Sequence, residues 1–181
     1  RDGKVAPGNV LRVDSFINHQ MDIALMEQLA QEFRRRFSGV RVDKVLTVEA
    51  SGIAIAVAAA AALDTPAVFA KKHRSGNVSG DVYSARVHSF THGTDHDILV
   101  ASEYLKPEDR VLIVDDFLAN GAALEGLLEL TQQAGATAVG CAVAIEKGFQ
   151  HGGDRLRERG IRVDSLAILE RMEPEIVFRS L

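Results

Sequence analysis

Two adjacent carboxylates, Asp115 and Asp116, follow an apolar run in the segment VLIVDDFLANGAA, residues 111–123. A short loop comes next, and a helix is expected from Gly121. The start of a helix offers backbone N–H groups without partners and the positive end of a dipole, which together suit a phosphate. Ala119, Gly121, Ala122 and Ala123 are small enough to let that phosphate approach the backbone. The carboxylates cannot bind the same phosphate. They suit hydroxyl donors a few ångströms away, such as those of a ribose, or a metal. The plain alternative is that the pair merely ends a strand.

Other chemistry-bearing clusters are less specific. Lys71, Lys72, His73 and Arg74 open a long polar stretch reaching Ser102. Such a stretch inside a domain reads as a lid over a site, or as a disordered insertion. His88, His92 and His96 recur every four residues beside Asp95 and Asp97, which would suit a metal on a helix. Gly93 and the strand-like surroundings argue instead for a solvated loop. The sequence contains no G-x-G-x-x-G, no Walker A lysine, no H-E-x-x-H and no G-x-S-x-G motif.

The elements that must position these residues alternate. Residues 1–9 read as a polar entry segment and residues 10–16 as a short strand. Asp22 is placed to cap a helix through about Phe37, with Ile23, Met26, Leu29, Ala30, Phe33 and Phe37 on one face. Arg34, Arg35 and Arg36 sit at its negative end, and Gly39 can stop it. Strands are expected at 44–48, 66–70, 111–114, 137–145 and 162–169, with helices at 52–63, 121–133 and 154–159. The helix at 52–63 is apolar all round, so it is expected to be enclosed. That at 121–133 buries Leu124, Leu127 and Leu128. Two further strands fall near 83–90 and 97–102. Continuous apolar strands between helices predict an α/β fold with a mostly parallel sheet covered on both faces. Ligands bind such sheets beyond the carboxyl ends of the strands.

Composition sets bounds. A chain of 181 residues is expected to form one domain, 1–181. Its 46% hydrophobic and 25% charged residues are those of an ordinary globule rather than a disordered chain. The net charge of −4 argues against a general nucleic-acid binder. The longest apolar run is shorter than a membrane span needs, and no signal peptide is visible in a sequence that opens on Arg1. A single cysteine, Cys141, allows no internal disulfide or Cys-rich zinc site, and a cytoplasmic setting is expected.

The segment VLIVDDFLANGAA resembles the phosphoribosyl-pyrophosphate loop of type I phosphoribosyltransferases, in which two acids precede a small-residue phosphate loop. The Thr-Gly common in that loop is Asn120-Gly121 here. This keeps the backbone cradle but removes some hydroxyl donors. VEASGIA, residues 48–54, resembles the pyrophosphate loop of the same family, and Lys71 to Arg74 match the start of its flexible loop. Four segments in order, LRVDSFINHQ, EASGIA, DDFLANGAA and IEKGFQ, are similar to the xanthine branch of the family.

The resemblance implies a type I phosphoribosyltransferase fold: a central, mostly parallel sheet flanked by helices, an N-terminal hood including residues 1–20, and a flexible loop with an antiparallel insertion at 71–102. It implies that Asp115 and Asp116 hold the ribose hydroxyls and that Ala119, Asn120, Gly121, Ala122 and Ala123 hold phosphoribosyl pyrophosphate. Glu49, Ala50, Ser51 and Gly52 would face the pyrophosphate. Lys71, Lys72, His73 and Arg74 would close over the site. Leu11, Asn18 and Lys147 would meet the base. Lys147 can only donate, so it favours an oxopurine's 6-carbonyl over adenine's 6-amino group; without the resemblance it is a surface lysine. Asn18 can both donate and accept, or be a turn residue. Phe149 either stacks on the base or joins the core.

The implied substrates are xanthine and phosphoribosyl pyrophosphate, with Mg²⁺ carried on substrate oxygens rather than by direct protein ligands. A homodimer without nucleic acid or membrane is the implied assembly. The hypoxanthine–guanine branch has an aspartate where Ala119 stands, so purine deprotonation needs another route here. Xanthine, the more acidic purine, can arrive partly as an anion. The rivals are a guanine, hypoxanthine or adenine enzyme of the same fold, and a phosphoribosyl-pyrophosphate-sensing regulator like the purine operon repressors.

Overall fold

The computed structural model describes residues 3–6, 10–72, 80–89 and 94–179. Among them lies a six-stranded sheet in the order β10-β9-β8-β7-β3-β4. Its strands are β3 (Lys44–Val48), β4 (Ala67–Ala70), β7 (Arg110–Leu118), β8 (Thr137–Lys147), β9 (Val163–Arg171) and β10 (Val177–Phe178). All neighbours pair in parallel except β10, which runs against β9. The apolar strands are buried on both faces because helices cover both. On one face, α1 (Ile23–Arg36) and α2 (Gly52–Leu63) enclose Val45, Leu112, Val114, Ala142 and Ala144. On the other, α3 (Ala122–Gln133) covers Leu46, Val111, Ile113, Cys141 and Val143.

The connections from β3 through α2 to β4 and from β7 through α3 to β8 leave in opposite directions along the sheet. Between β3 and β7 lies the topological switch point, where ligands of such sheets bind. The pairing there is short. β3 and β7 are in register from Lys44↔Val111 to Leu46↔Ile113, whereas β7 stays on β8 as far as Leu118. One edge of β7 is therefore released from β3 just before Asp115.

Several expected boundaries shift. Residues 10–16 are not one strand: β2 (Val10–Arg12) pairs with β1 (Lys4–Ala6), and residues Asp14–Asn18 form a turn of π-helix. Val13 and Ile17 are both buried, and their spacing of four is helical. β7 runs through both aspartates instead of stopping at Val114, and β8 runs through Lys147 instead of stopping at Ile145. α1 is capped as expected, with Asp22 accepting a hydrogen bond from the Leu25 N–H at 3.0 Å. Ile23, however, is 65% exposed. The all-apolar α2 is likewise not enclosed: Val57 is 54% exposed. No helix among the described residues is long and apolar enough to cross a membrane.

The insertion is a hairpin of β5 (Val82–Ser89) and β6 (Thr94–Ala101), a separate two-stranded sheet bridged to the end of β4 at Lys71–Leu99. Its inner side rests on α3 at Gly126. A Cβ there would lie 2.5 Å from Val87 Cγ2 and 3.0 Å from Ile98 Cδ1. Gly126→Ala should thus lift the hairpin from α3 and cost about 1–3 kcal/mol, as overpacking of a core does. Urea unfolding is the measurement, and an unchanged midpoint would show that the hairpin yields freely.

Candidate active site

Asp115 and Asp116 lie inside β7 at 5% and 4% exposure, at the level where β3 has left it. The loop after β3 fills that gap. Ser51 Oγ donates to Asp116 Oδ1 at 3.1 Å, and the Asp116 N–H donates to Asp115 Oδ1 at 3.0 Å. Gly52 opens α2 without a side chain because a Cβ would lie 2.8 Å from Asp115 Oδ1 and would also strike Thr47 Oγ1. Thr47 Oγ1 is buried and has no hydrogen-bond partner among the described residues. Burial first, and the charge of Asp116 second, hold the Asp115 carboxyl well above the usual carboxylate range. The Asp116 N–H and the charge of Lys72 oppose that shift.

Glu49 turns away from the pair. Its Oε1 accepts from the Lys72 N–H at 2.6 Å, and its own N–H donates to Ala70 O at 3.0 Å. The loop at Glu49–Ser51 is thereby tied to the end of β4, with Ala50 and Ser51 exposed. Lys71 joins β4 to the hairpin through paired backbone bonds with Leu99. Lys72, Val48, Ala119, Asn120, Ala122 and Ala123 line one cavity of about 190 Å³. His73 and Arg74 lie outside the described residues. Loop, acid pair, Lys72 and phosphate cradle thus form one continuous cluster.

The cradle begins at Gly121, whose φ of 89° is left-handed and favours glycine. Its donors are not all open: the Asn120 side chain accepts from the Ala122 N–H at 3.1 Å. Asn120, expected to leave the backbone cradle intact, thus closes one of its donors. His88 and His96 also line the cavity, from paired strands rather than from a helix or the expected solvated loop. His88 Nδ1 lies 2.6 Å from Asp95 Oδ1, while His92 is outside the described residues. Among the described residues, no group of three or more His, Cys, Asp or Glu is placed to hold a metal ion.

A second, apolar hollow of about 130 Å³ lies under the N-terminal segment. Leu11, Val13 and Phe16 wall it on one side, and Ile145, Leu169 and Phe178 on the other. Lys147 ends β8 opposite Leu169, two residues beyond Ile145. Its ammonium stands 5.8 Å from the centroid of the Phe117 ring, and burial lowers its pKa. Phe117 directly follows Asp116, so the acid pair and Lys147 are joined through adjacent strands. Asn18 is exposed at the end of the π-helical turn, and no hydrogen bond among the described residues ties it to Lys147. Phe149 is half-buried in the turn Gly148–Gln150. Sequence reasoning missed Ile176 and Phe178, because the two-residue β10 is too short to show a period.

A doubly wound sheet with an acid pair and a turn of small residues at its switch point, an antiparallel hairpin beside it and an N-terminal segment against the far strands is the type I phosphoribosyltransferase fold. The chain belongs to the phosphoribosyl transferase domain family, whose model matches residues 13–166. Solved structures agree on the fold. An APRTase from Giardia lamblia complexed with 9-deazaadenine superposes with a TM-score of 0.78 at 22% identity, over 93% of each chain. Adenine phosphoribosyltransferase from Rhodothermus marinus gives 0.74 at 24% identity, over 92% of this chain and 93% of the other.

Sequence relatives are much nearer. The chain is 51% identical to a xanthine phosphoribosyltransferase of Lachnoclostridium phytofermentans, over 99% of this chain and 94% of that one. It is 52% identical to one of Bifidobacterium adolescentis, over 99% and 95%. It is 55% identical to one of Moorella thermoacetica, over 92% and 85%.

The raised Asp115 carboxyl generates a stability prediction. Such a group favours the fold below its ordinary value near 3.8 and weakens it as pH climbs through the raised value. Asp115→Asn removes the titration. Its Tm should exceed the wild-type Tm at about pH 8, and the advantage should vanish below about pH 4. Calorimetric scans across pH are the check; a Tm difference that does not vary with pH would mean that the carboxyl titrates normally.

Proposed function

We propose that this chain is a xanthine phosphoribosyltransferase acting in purine salvage, joining xanthine to phosphoribosyl pyrophosphate to give xanthosine monophosphate and pyrophosphate. The observation that carries the reading is the placement of Lys147. A donor-only ammonium ends β8 beside Phe117, the residue that follows the buried acid pair on the neighbouring strand. It rewards a carbonyl on the base and leaves an amino group unpaired. The shared identity with the xanthine enzymes supports the same reading.

In this reading, a ring nitrogen of the xanthine anion, whose proton has already gone to solvent, bonds to the anomeric carbon while the carbon–oxygen bond to pyrophosphate breaks, and pyrophosphate leaves with the electron pair. Asp115 and Asp116 hold the ribose hydroxyls and stabilise positive charge developing on the ribosyl group. The donors at Gly121, Ala122 and Ala123 take the 5-phosphate, and Ser51 and Gly52 face the leaving pyrophosphate. Asn120 must release the Ala122 N–H when that phosphate arrives. Leu11 and Asn18 face the base with Lys147, and Phe149 stacks at its edge. Lys71, Lys72, His73 and Arg74 close over the site and exclude water.

A pair of carboxylate oxygens suits a hard cation such as magnesium. Asp115 and Asp116 are the residues that would face it, across substrate hydroxyls and water. When bound, it neutralises charge on the pyrophosphate. The whole chain, 1–181, acts as a single catalytic domain. A cytoplasmic setting fits a sequence whose single cysteine, the buried Cys141, can form no internal disulfide.

The working form is a homodimer. Met21, Ile23 and Val57 are 45%, 65% and 54% exposed along the open groove between α1 and α2, an apolar face of the kind that a second copy covers. Val57→Asp should convert the dimer to monomer in sedimentation velocity. A dimer of unchanged affinity would move the interface elsewhere.

Incubation with phosphoribosyl pyrophosphate, magnesium and each purine base, with identification of the nucleotide formed, tests the activity. No product with any base would favour a regulator, and a preference for guanine or adenine would reassign the substrate. Loss of turnover in the double variant Asp115→Asn, Asp116→Asn, with native circular dichroism, is expected. Lys147→Met should lose about 10- to 150-fold in kcat/KM for xanthine, the worth of one charged hydrogen bond. Asn18→Ala should instead narrow the gap between xanthine and hypoxanthine, which differ only at position 2. Unchanged xanthine kinetics in Lys147→Met would return the lysine to the surface.

A further inference from the structure

The phosphate cradle is held from behind by a short helix that touches neither substrate in the proposed reaction. α4 (Gly152–Glu158) follows the turn after Lys147, and its first residue is pressed against the cradle. A Cβ on Gly152 would lie 2.6 Å from the Asn120 carbonyl carbon and 2.7 Å from the Gly121 nitrogen, closer than real side chains approach. The cradle's backbone therefore rests directly on Gly152. One turn on, Arg155 Nη2 donates to the Asn120 carbonyl at 2.8 Å. That carbonyl shares a peptide plane with the Gly121 N–H, so whatever holds the oxygen also aims the hydrogen.

α4 is itself anchored on the base side of the site. Glu146, the residue before Lys147, has no exposed surface. Its carboxylate takes Arg157 Nη1 at 2.9 Å, Arg157 Nη2 at 2.6 Å and Ser165 Oγ at 2.5 Å. A Cβ on Gly153 would lie 2.5 Å from Glu146 Cδ, so the carboxylate packs flat on the start of α4. The path from the base lysine to the phosphate cradle thus runs through packed groups: Glu146, Arg157, α4, and then Gly152 and Arg155 against Asn120 and Gly121.

From this geometry we propose that α4 is the positioning platform of the phosphate cradle and that Arg155 is a positioning residue for the phosphate end of the substrate, acting through the Asn120–Gly121 peptide. The inference rests on the reading of residues 119–123 as the phosphate site. Arg155 is exposed and lies outside the core, so its loss should spare the fold. With Arg155 gone, packing on Gly152 alone holds the peptide, so the Gly121 N–H is aimed less sharply and phosphate binding weakens, while the base end is untouched. A lysine can still donate to the one carbonyl, though without the rigid fork of arginine.

The experiment is titration calorimetry of ribose 5-phosphate into wild type, Arg155→Ala and Arg155→Lys, with Tm measured for each and steady-state KM for both substrates. In Arg155→Ala the dissociation constant for ribose 5-phosphate and the KM for phosphoribosyl pyrophosphate should rise about tenfold, the scale of a lost charged hydrogen bond. The Tm and the KM for xanthine should hold, and Arg155→Lys should recover most of the loss. An unchanged dissociation constant in Arg155→Ala, a Tm that falls with both KM values, or no recovery with lysine overturns the positioning role. Wild-type protein that binds ribose 5-phosphate without making nucleotide would sink the proposed reaction and leave the calorimetric comparison to decide Arg155. Wild-type protein that does not bind ribose 5-phosphate would overturn both.

Discussion

Asp115 and Asp116 are adjacent, buried and of like sign, and a buried charge is costly unless it is met by donors. Neighbouring structure supplies them: the Ser51 hydroxyl and the Asp116 N–H reach the pair, and the charge of Lys72 acts on it. The remaining cost falls on Asp115, whose carboxyl is held above its usual range by burial and by the charge of Asp116. The early parting of β3 from β7 follows the same need. If β3 stayed in register beyond Ile113, the space in which these carboxylates could meet a polyhydroxyl ligand would be filled by backbone. A site of this kind keeps a locally unfavourable pair because the surrounding sheet is apolar and well packed.

Close backbone contact is the second theme. Gly52, Gly126 and Gly152 each stand where a single methyl group would collide with the site or its wall. These contacts set the loop after β3 against the acid pair, the hairpin against α3, and the cradle against α4. Only at Gly121, among the glycines of the cradle and its support, is the backbone also left-handed. The role of the other three is proximity rather than conformational freedom.

Charge and apolar surface divide the site in two. One half is lined by the backbone at residues 119–123, Lys72 and a pair of histidines on the hairpin. The other is walled by Leu11, Phe16, Leu169 and Phe178, with Lys147 paired beside Leu169. An ammonium beside an aromatic ring and partly out of water is a poorly hydrated donor, which sharpens its preference for a carbonyl acceptor. The two halves meet at β7 and β8, whose last residues carry the acids, Phe117, Glu146 and Lys147.

The sequence by itself determined the doubly covered parallel sheet, the capped α1, the acid pair and the start of α3. Each is written in local periodicity, or in residue types that only one local arrangement satisfies. Its motif resemblance also reached the family. Strand ends at Leu118 and Lys147 were not legible, because carboxylates and a lysine continue those strands only where β8 and β9 pair beside them. The exposure of Ile23 and Val57 could not be read either, since an apolar residue does not say which neighbour will cover it. Gly152 against Asn120, Arg157 against Glu146 and Phe178 in the apolar hollow join residues that are far apart or carry no period. They are decided only when the sheet brings the carboxyl ends of its strands together, because close packing is a property of surfaces in contact and not of any one segment.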